Sequence, residues 1–193
     1  MERLGVFNIR IFNVRYNSTF SLDRVYRVYL RDGNFYFVRI GGQYWGIQEA
    51  IAAGIHPLGL VGALIATLVV TLFVALLGSS WQERARKKKE TLFQTLDNVH
   101  PEQLLDRHKH NFKLQPADFQ ASRIEPPARF YTHGPHVGRW KSLLRNGRKL
   151  NLELFTNEDM YIALHLLPDV IGPVLTINAQ WDGKKGKYTK KGS

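Results

Sequence analysis

The sequence predicts an α+β fold: antiparallel β-hairpins with a C-terminal amphipathic helix, plus one transmembrane helix. Three observations carry this reading. Two aromatic and β-branched runs, RVYRVYL and NFYFVRI, flank Asp32-Gly33, and a second pair of strand-like runs flanks Asn146-Gly147. Such dipeptides suit tight hairpin turns because both central positions take positive φ. Met160, Ala163, Leu164 and Leu167 recur at helical spacing near the C-terminus. Residues 58–77, LGLVGALIATLVVTLFVALL, hold no charge, no amide and no proline. As a helix this run reaches about 30 Å, the thickness of a bilayer's hydrocarbon core.

The totals narrow the partners. The 193 residues include 27 Lys and Arg against 16 Asp and Glu, a formal charge of +11. That balance favours anionic lipid, nucleic acid or an acidic protein face, and the apolar run favours lipid among them. There is no cysteine, which excludes disulfides, thiolate nucleophiles and cysteine metal sites. The first twenty residues lack the apolar core of a cleaved signal peptide, so the internal run is expected to serve as its own insertion signal.

Residues 1–45 read as an N-terminal β-hairpin segment. Phe7, Ile9 and Ile11 alternate with Asn8, Arg10 and Phe12 at a period of two. In the next strand Val25, Arg27 and Tyr29 share one face, and Tyr26, Val28 and Leu30 the other. Three such strands bury too little apolar surface to stand alone, so a partner is expected. Residues 46–81 read as an interfacial helix followed by the transmembrane helix. Gln48 and Glu49 suit the interface better than hydrocarbon, and Pro57 fits a first helical turn. Gly59 and Ala63, like Gly62 and Ala66, stand four apart, a spacing that lets two membrane helices approach closely.

Residues 82–109 read as a basic helical linker. Arg84, Arg86, Lys87, Lys88 and Lys89 crowd the C-terminal flank of the apolar run, which places the C-terminal part in the cytoplasm by the positive-inside rule. A single pass is preferred over a hairpin insertion because Gln48 and Glu49 are costly at depth. Residues 110–183 read as an α+β domain. Leu150, Leu152 and Leu154 alternate with Lys149, Asn151 and Glu153, the pattern of a strand buried on one side. Thr156 with Asp159 three residues on forms a capping-box variant at the start of the helix. Residues 184–193, rich in Lys and Gly, read as a basic disordered tail.

The strand pairs around Asp32-Gly33 and Asn146-Gly147, with the helix over 157–167, resemble the pleckstrin-homology-like modules of bacterial membrane proteins. The resemblance implies a binding scaffold for lipid or protein and brings no catalytic residues with it. If the N-terminal strands complete the same sheet, both halves must share one side of the membrane. A single pass does not allow that.

The histidines invite a metal reading. His108 and His110 lie two apart, and His133 and His136 three apart, enough for four nitrogens. No carboxylate accompanies either pair at a recognised spacing, so surface or headgroup-facing histidines are the better reading. No nucleophile elbow, carboxylate pair or phosphate loop is present. No enzyme, catalytic residue, cofactor or metal is expected. Arg139, Trp140, Lys141, Arg145 and Arg148 gather on the second hairpin and, with the basic run at 84–89, form the expected lipid- or partner-binding set. A plain solvated sheet edge is the competing reading of that hairpin. The expected function is therefore a non-enzymatic protein of the inner membrane whose cytoplasmic domain binds anionic headgroups or an acidic partner. The alternative is an assembly subunit that packs through the small-residue helix face against a membrane partner or its own copy. Nucleic acid is the weaker candidate.

Overall fold

The computed structural model describes residues 10–16, 24–42, 79–127 and 136–192. Among the described residues ten strands and three α-helices follow one another. They are β1 (Arg10–Tyr16), β2 (Arg24–Arg31), β3 (Asn34–Gly41), α1 (Ser79–Asp97), α2 (Pro101–Leu105), β4 (Phe112–Leu114), β5 (Phe119–Glu125), β6 (Gly138–Leu144), β7 (Lys149–Leu154), α3 (Asn157–Ile171), β8 (Leu175–Ile177), β9 (Ala179–Asp182) and β10 (Lys187–Lys190). The first eight strands form a single sheet in the order β4-β3-β2-β1-β7-β6-β5-β8, and β9 and β10 form a separate hairpin. All neighbours are antiparallel except β5 and β8.

The turns at Asp32-Gly33 and Asn146-Gly147 join β2 to β3 and β6 to β7. Asp32 and Gly33 both take positive φ, as the short connection requires. The two halves of the chain then meet directly. β1 pairs with β7 through Val14 and Leu154, Arg15 and Glu153, and Tyr16 and Leu152.

The sheet is curled. Four strand spacings separate β3 from β6, which would hold them about 19 Å apart in a flat sheet. Yet the Phe35 and Trp140 rings lie 5.6 Å apart, and Phe37 and Trp140 6.1 Å. Trp140 is fully buried and also faces Phe12 and Phe119, so one indole fills the centre of the concave side. Its ring N–H donates to Ser122 Oγ at 2.7 Å, which meets the polar requirement of a buried indole. Helix α3 closes the concave side with Met160, Ala163, Leu166, Leu167 and Ile171. Its N-terminus carries the capping box of Thr156 and Asp159, and Asp159 Oδ1 also accepts from the backbone N–H of Asn13 at 2.7 Å. One carboxylate thus caps the helix and ties it to β1.

The convex side of β2 and β3 is covered as well. Val25, Tyr29, Tyr36, Val38 and Ile40 pack against Leu92, Phe93 and Leu96 of α1 and Leu104 of α2. Asp97 clamps this layer. It accepts from Arg27 Nε at 2.8 Å, Arg27 Nη2 at 2.7 Å and the Tyr29 hydroxyl at 2.8 Å. Burial pushes the Tyr29 hydroxyl up, and donation to Asp97 pushes it further.

The expected fold class is corrected on two counts. The architecture is one curled eight-stranded sheet with few helices, in which the N-terminal strands are full members, rather than hairpins with a C-terminal helix. The partner those strands needed is β7. Among the described residues no helix is long and apolar enough to cross a membrane. Residues 58–77, with Gly59, Gly62, Ala63 and Ala66, lie outside the described residues. The preference for a single pass is corrected too, because β1 and β7 share a sheet and so must lie on one side of any membrane. The expected disordered tail contains β10, which pairs with β9 across a turn in which Gly186 takes positive φ. Tyr188 on β10 is buried against the core, which holds the hairpin in place.

Two changes test this packing. Asp97→Ala is expected to cost about 2 kcal/mol, between the exposed-pair and buried-pair ranges, because Arg27 is mostly covered and Asp97 only partly so. A urea midpoint equal to that of the parent protein would refute it. Gly138→Ala drives a methyl group into the Met160 thioether and against the Glu125 carbonyl. About 1 kcal/mol of overpacking is expected from thermal or urea unfolding, modest because methionine side chains yield.

Candidate anion-binding site

The basic residues singled out in the sequence do not form one surface. Arg139 and Lys141 lie on the convex side of β6, where Glu125 Oε2 meets Arg139 Nη2 at 3.0 Å and Lys141 Nζ at 2.9 Å. Arg123 reaches the other oxygen of Glu125 at 2.9 Å. Burial raises the Glu125 carboxyl, but the Lys141 hydrogen bond and the three cations outweigh it and hold the group below its ordinary range. These cations are already matched. Trp140 is in the core, so it has no face to offer a headgroup, which corrects its expected role. Arg145 donates from Nε to the Ala117 carbonyl at 2.7 Å. Arg84, Arg86, Lys87 and Lys88 stand exposed on α1, with Lys87 on Glu83 at 3.0 Å and Arg86 near Glu90 at 3.8 Å. Lys89 lies over the Phe93 ring at 5.5 Å.

Arg148 belongs to a different constellation. At one end of the sheet β1 finishes at Tyr16, β2 starts at Arg24, β3 finishes at Gly41 and β7 starts at Lys149. The register brings Tyr16 beside Arg24 and Tyr26 beside Arg39, while Phe112 of β4 pairs with Phe37. An aromatic floor results. Phe37 and Phe112 stack at 4.4 Å, and Tyr26 meets Phe112 edge-on at 5.5 Å. The Arg148 guanidinium sits 4.7 Å above Phe112 and 5.9 Å from Tyr16, a cation–π arrangement that fixes a residue of the β6–β7 turn over this floor.

The loop before β4 completes the end. The backbone N–H of Arg39 donates to Asn111 Oδ1 at 2.8 Å, and Asn111 Nδ2 donates to the Leu104 carbonyl at 2.6 Å. These two bonds pin the loop so that His108 Nε2 lies 3.2 Å from Arg39 Nη1. The His108 and His110 rings are 5.2 Å apart. Burial raises the Tyr26 hydroxyl, and the hydrogen bond and charge of Arg24, with the fields of Arg148 and Arg39, oppose it. The same crowding lowers His110: partial burial first, then the charges of Arg24, Arg39, His108 and Lys109.

The electrostatics of this end differ from the rest of the sheet. Arg15, Arg27, Lys113, Arg123, Arg139 and Lys141 each lie against a carboxylate. Among the described residues, Arg24, Arg39, Lys109 and Arg148 have no carboxylate partner. An oxyanion is the group that this arrangement accepts. Its members come from β2, β3, the loop before β4 and the β6–β7 turn, so sequence spacing could not gather them. Two members did stand out in the sequence: Arg148, grouped with its hairpin neighbours, and the His108–His110 pair, read as surface or headgroup-facing.

Among the described residues no three His, Asp or Glu side chains gather as a metal site. His136 lies elsewhere, buried with its Nδ1 3.7 Å from Glu153, and His133 falls outside the described residues. No family model matches this chain, and no curated protein or solved structure is significantly similar to it, so the resemblance to pleckstrin-homology-like modules rests on its own residues alone.

Proposed function

We propose that this is a non-enzymatic, membrane-associated protein whose cationic sheet end binds anionic lipid headgroups at the cytoplasmic face of the inner membrane. The observation that carries the reading is the position of the arginines that have no carboxylate partner among the described residues. Arg24, Arg39 and Arg148 surround the end where β3 finishes at Gly41, and the chain leaves the sheet there toward the apolar run at 58–77. In the sequence the apolar run follows this strand end, which favours a lipid surface as the source of the anion. The exposed basic residues of α1, at the far end of the same segment, add to the attraction.

Each basic residue near an anionic surface contributes about 1 kcal/mol. Three arginines therefore supply about 3 kcal/mol, on the order of a hundredfold in partitioning. The apolar run attracts any bilayer, so the informative quantity is the preference of the full chain for phosphatidylglycerol-containing vesicles over pure phosphatidylcholine vesicles. Replacing Arg24, Arg39 and Arg148 together with Gln is expected to lower that preference by about a hundredfold at low salt. Replacing Arg139 and Lys141, which Glu125 already neutralises, is expected to leave it nearly unchanged. A triple variant with undiminished preference, measured by co-sedimentation, would sink the proposal.

A further inference from the structure

We propose that the cationic end takes up a proton when it captures a phosphate-type oxyanion, with His108 donating to the anion beside Arg39 and His110 receiving the proton. This rests on the headgroup reading above and adds its chemistry and its regulation. The ligand class is an oxyanion with several acceptor oxygens, whether a lipid phosphate or a free anion.

The geometry starts from His108. Its Nδ1 faces the backbone N–H of His110 at 3.1 Å, and its Nε2 faces Arg39 Nη1 at 3.2 Å. A neutral imidazole has one acceptor nitrogen and one N–H. Both neighbours are donors, so either tautomer leaves one donor facing another. The backbone N–H of His110 belongs to the pinned loop. It assigns Nδ1 as the acceptor and leaves the proton on Nε2, pointing at the Arg39 guanidinium. Two donors then converge, and among the described residues no acceptor is recorded between them. Arg24 and Arg148 flank the same floor, each within range of the Tyr26 hydroxyl. An oxyanion oxygen supplies the missing acceptor.

His110 is the group that titrates. Facing it are Arg24 of β2, Arg39 of β3, and Lys109 and His108 of its own loop, all positive or neutral. These neighbours, with partial burial, hold its protonation below the ordinary histidine range. A bound anion offsets their field and restores it. The sign follows directly. Between the lowered free-state value and the higher bound-state value, binding takes up a proton, and affinity rises as pH falls through that window. Above the window the coupling vanishes because His110 is neutral in both states. Below it the coupling vanishes because His110 is charged in both. One proton allows at most about tenfold in affinity per pH unit.

The test uses the full chain and two probes. Sodium sulfate remains a dianion from about pH 8 to about pH 5, where histidine titrates, so any pH dependence belongs to the protein. Phosphatidylglycerol vesicles present a phosphodiester that does not titrate there either. Calorimetry in two buffers of different protonation enthalpy counts the protons taken up. The expected result is tighter binding toward acid with net proton uptake. His110→Gln should abolish the pH dependence while retaining binding, and His108→Gln should weaken binding across the range. His165→Gln, at an exposed position of α3, should keep the coupling. Coupling seen with either probe sustains the proposal, and the probe that shows it identifies the source of the anion. Affinity that is flat with pH, or coupling that survives His110→Gln, overturns it. Failure of the parent chain to prefer anionic vesicles at any pH strikes the headgroup reading instead, so the two failures are distinct.

Discussion

Val14 with Leu154, Arg15 with Glu153 and Tyr16 with Leu152 are the pairs on which the rest of the structure depends. They join strands from the two ends of the chain, and the middle pair is an ion pair at 2.6 Å with both side chains almost wholly buried. Buried charges are tolerated only when partnered, because desolvating an isolated ion costs several kcal/mol. The Arg15–Glu153 pair therefore specifies the register as much as it stabilises it: a one-residue slip would strand both charges in the interior. From that register follow the closure of the curl around Trp140, the seat of α3 against Asn13, and the arrival of Tyr16, Arg24 and Arg148 at one end.

Charge is distributed over this sheet by two rules. On the faces, cations are matched: three share Glu125, Arg27 and Tyr29 share Asp97, and Lys113 lies on Glu102 at 3.2 Å. At the strand ends beside Gly41, over an aromatic floor, they have no carboxylate partner among the described residues. Matched cations fix strands and helices in place and have little left to offer a ligand. Unmatched ones repel each other until something negative arrives. The net charge of +11 is a sum over both kinds, and only the second kind bears on recognition.

Local features were legible in the sequence and convergent ones were not. Asp32-Gly33, Asn146-Gly147 and the Thr156–Asp159 cap act within a few residues, so their spacing is enough to read them. The strands β2 and β3 carry apolar residues on both faces, which marked them as needing cover without saying from where; α1, α2 and the curl supply it. Trp140 misled because it stands between Arg139 and Lys141 in sequence, while the period of two sends the indole inward and both cations outward. Glu153 misled in the same way: alternation placed it on a wet face, but Arg15 and His136 bury it. Arg24 and Arg39 carry no local signature, and Arg148 stood out only beside hairpin neighbours with which it shares no surface. Their proximity is a property of strand order.

The pairing of β1 with β7 also sets a timetable. Arg15 and Glu153 are separated by 138 residues. At about 5–20 residues per second, synthesis keeps β1 waiting on the order of ten seconds for its second neighbour. The β2–β3 hairpin can form in microseconds, so a three-stranded ribbon stands ready long before the sheet can be completed. Through that interval the outer edge of β1 presents unpaired backbone groups beside Phe12 and Val14, the kind of edge that recruits other chains. For a protein whose central strand pair must wait for most of the chain to be made, the nascent chain and the finished fold face different hazards.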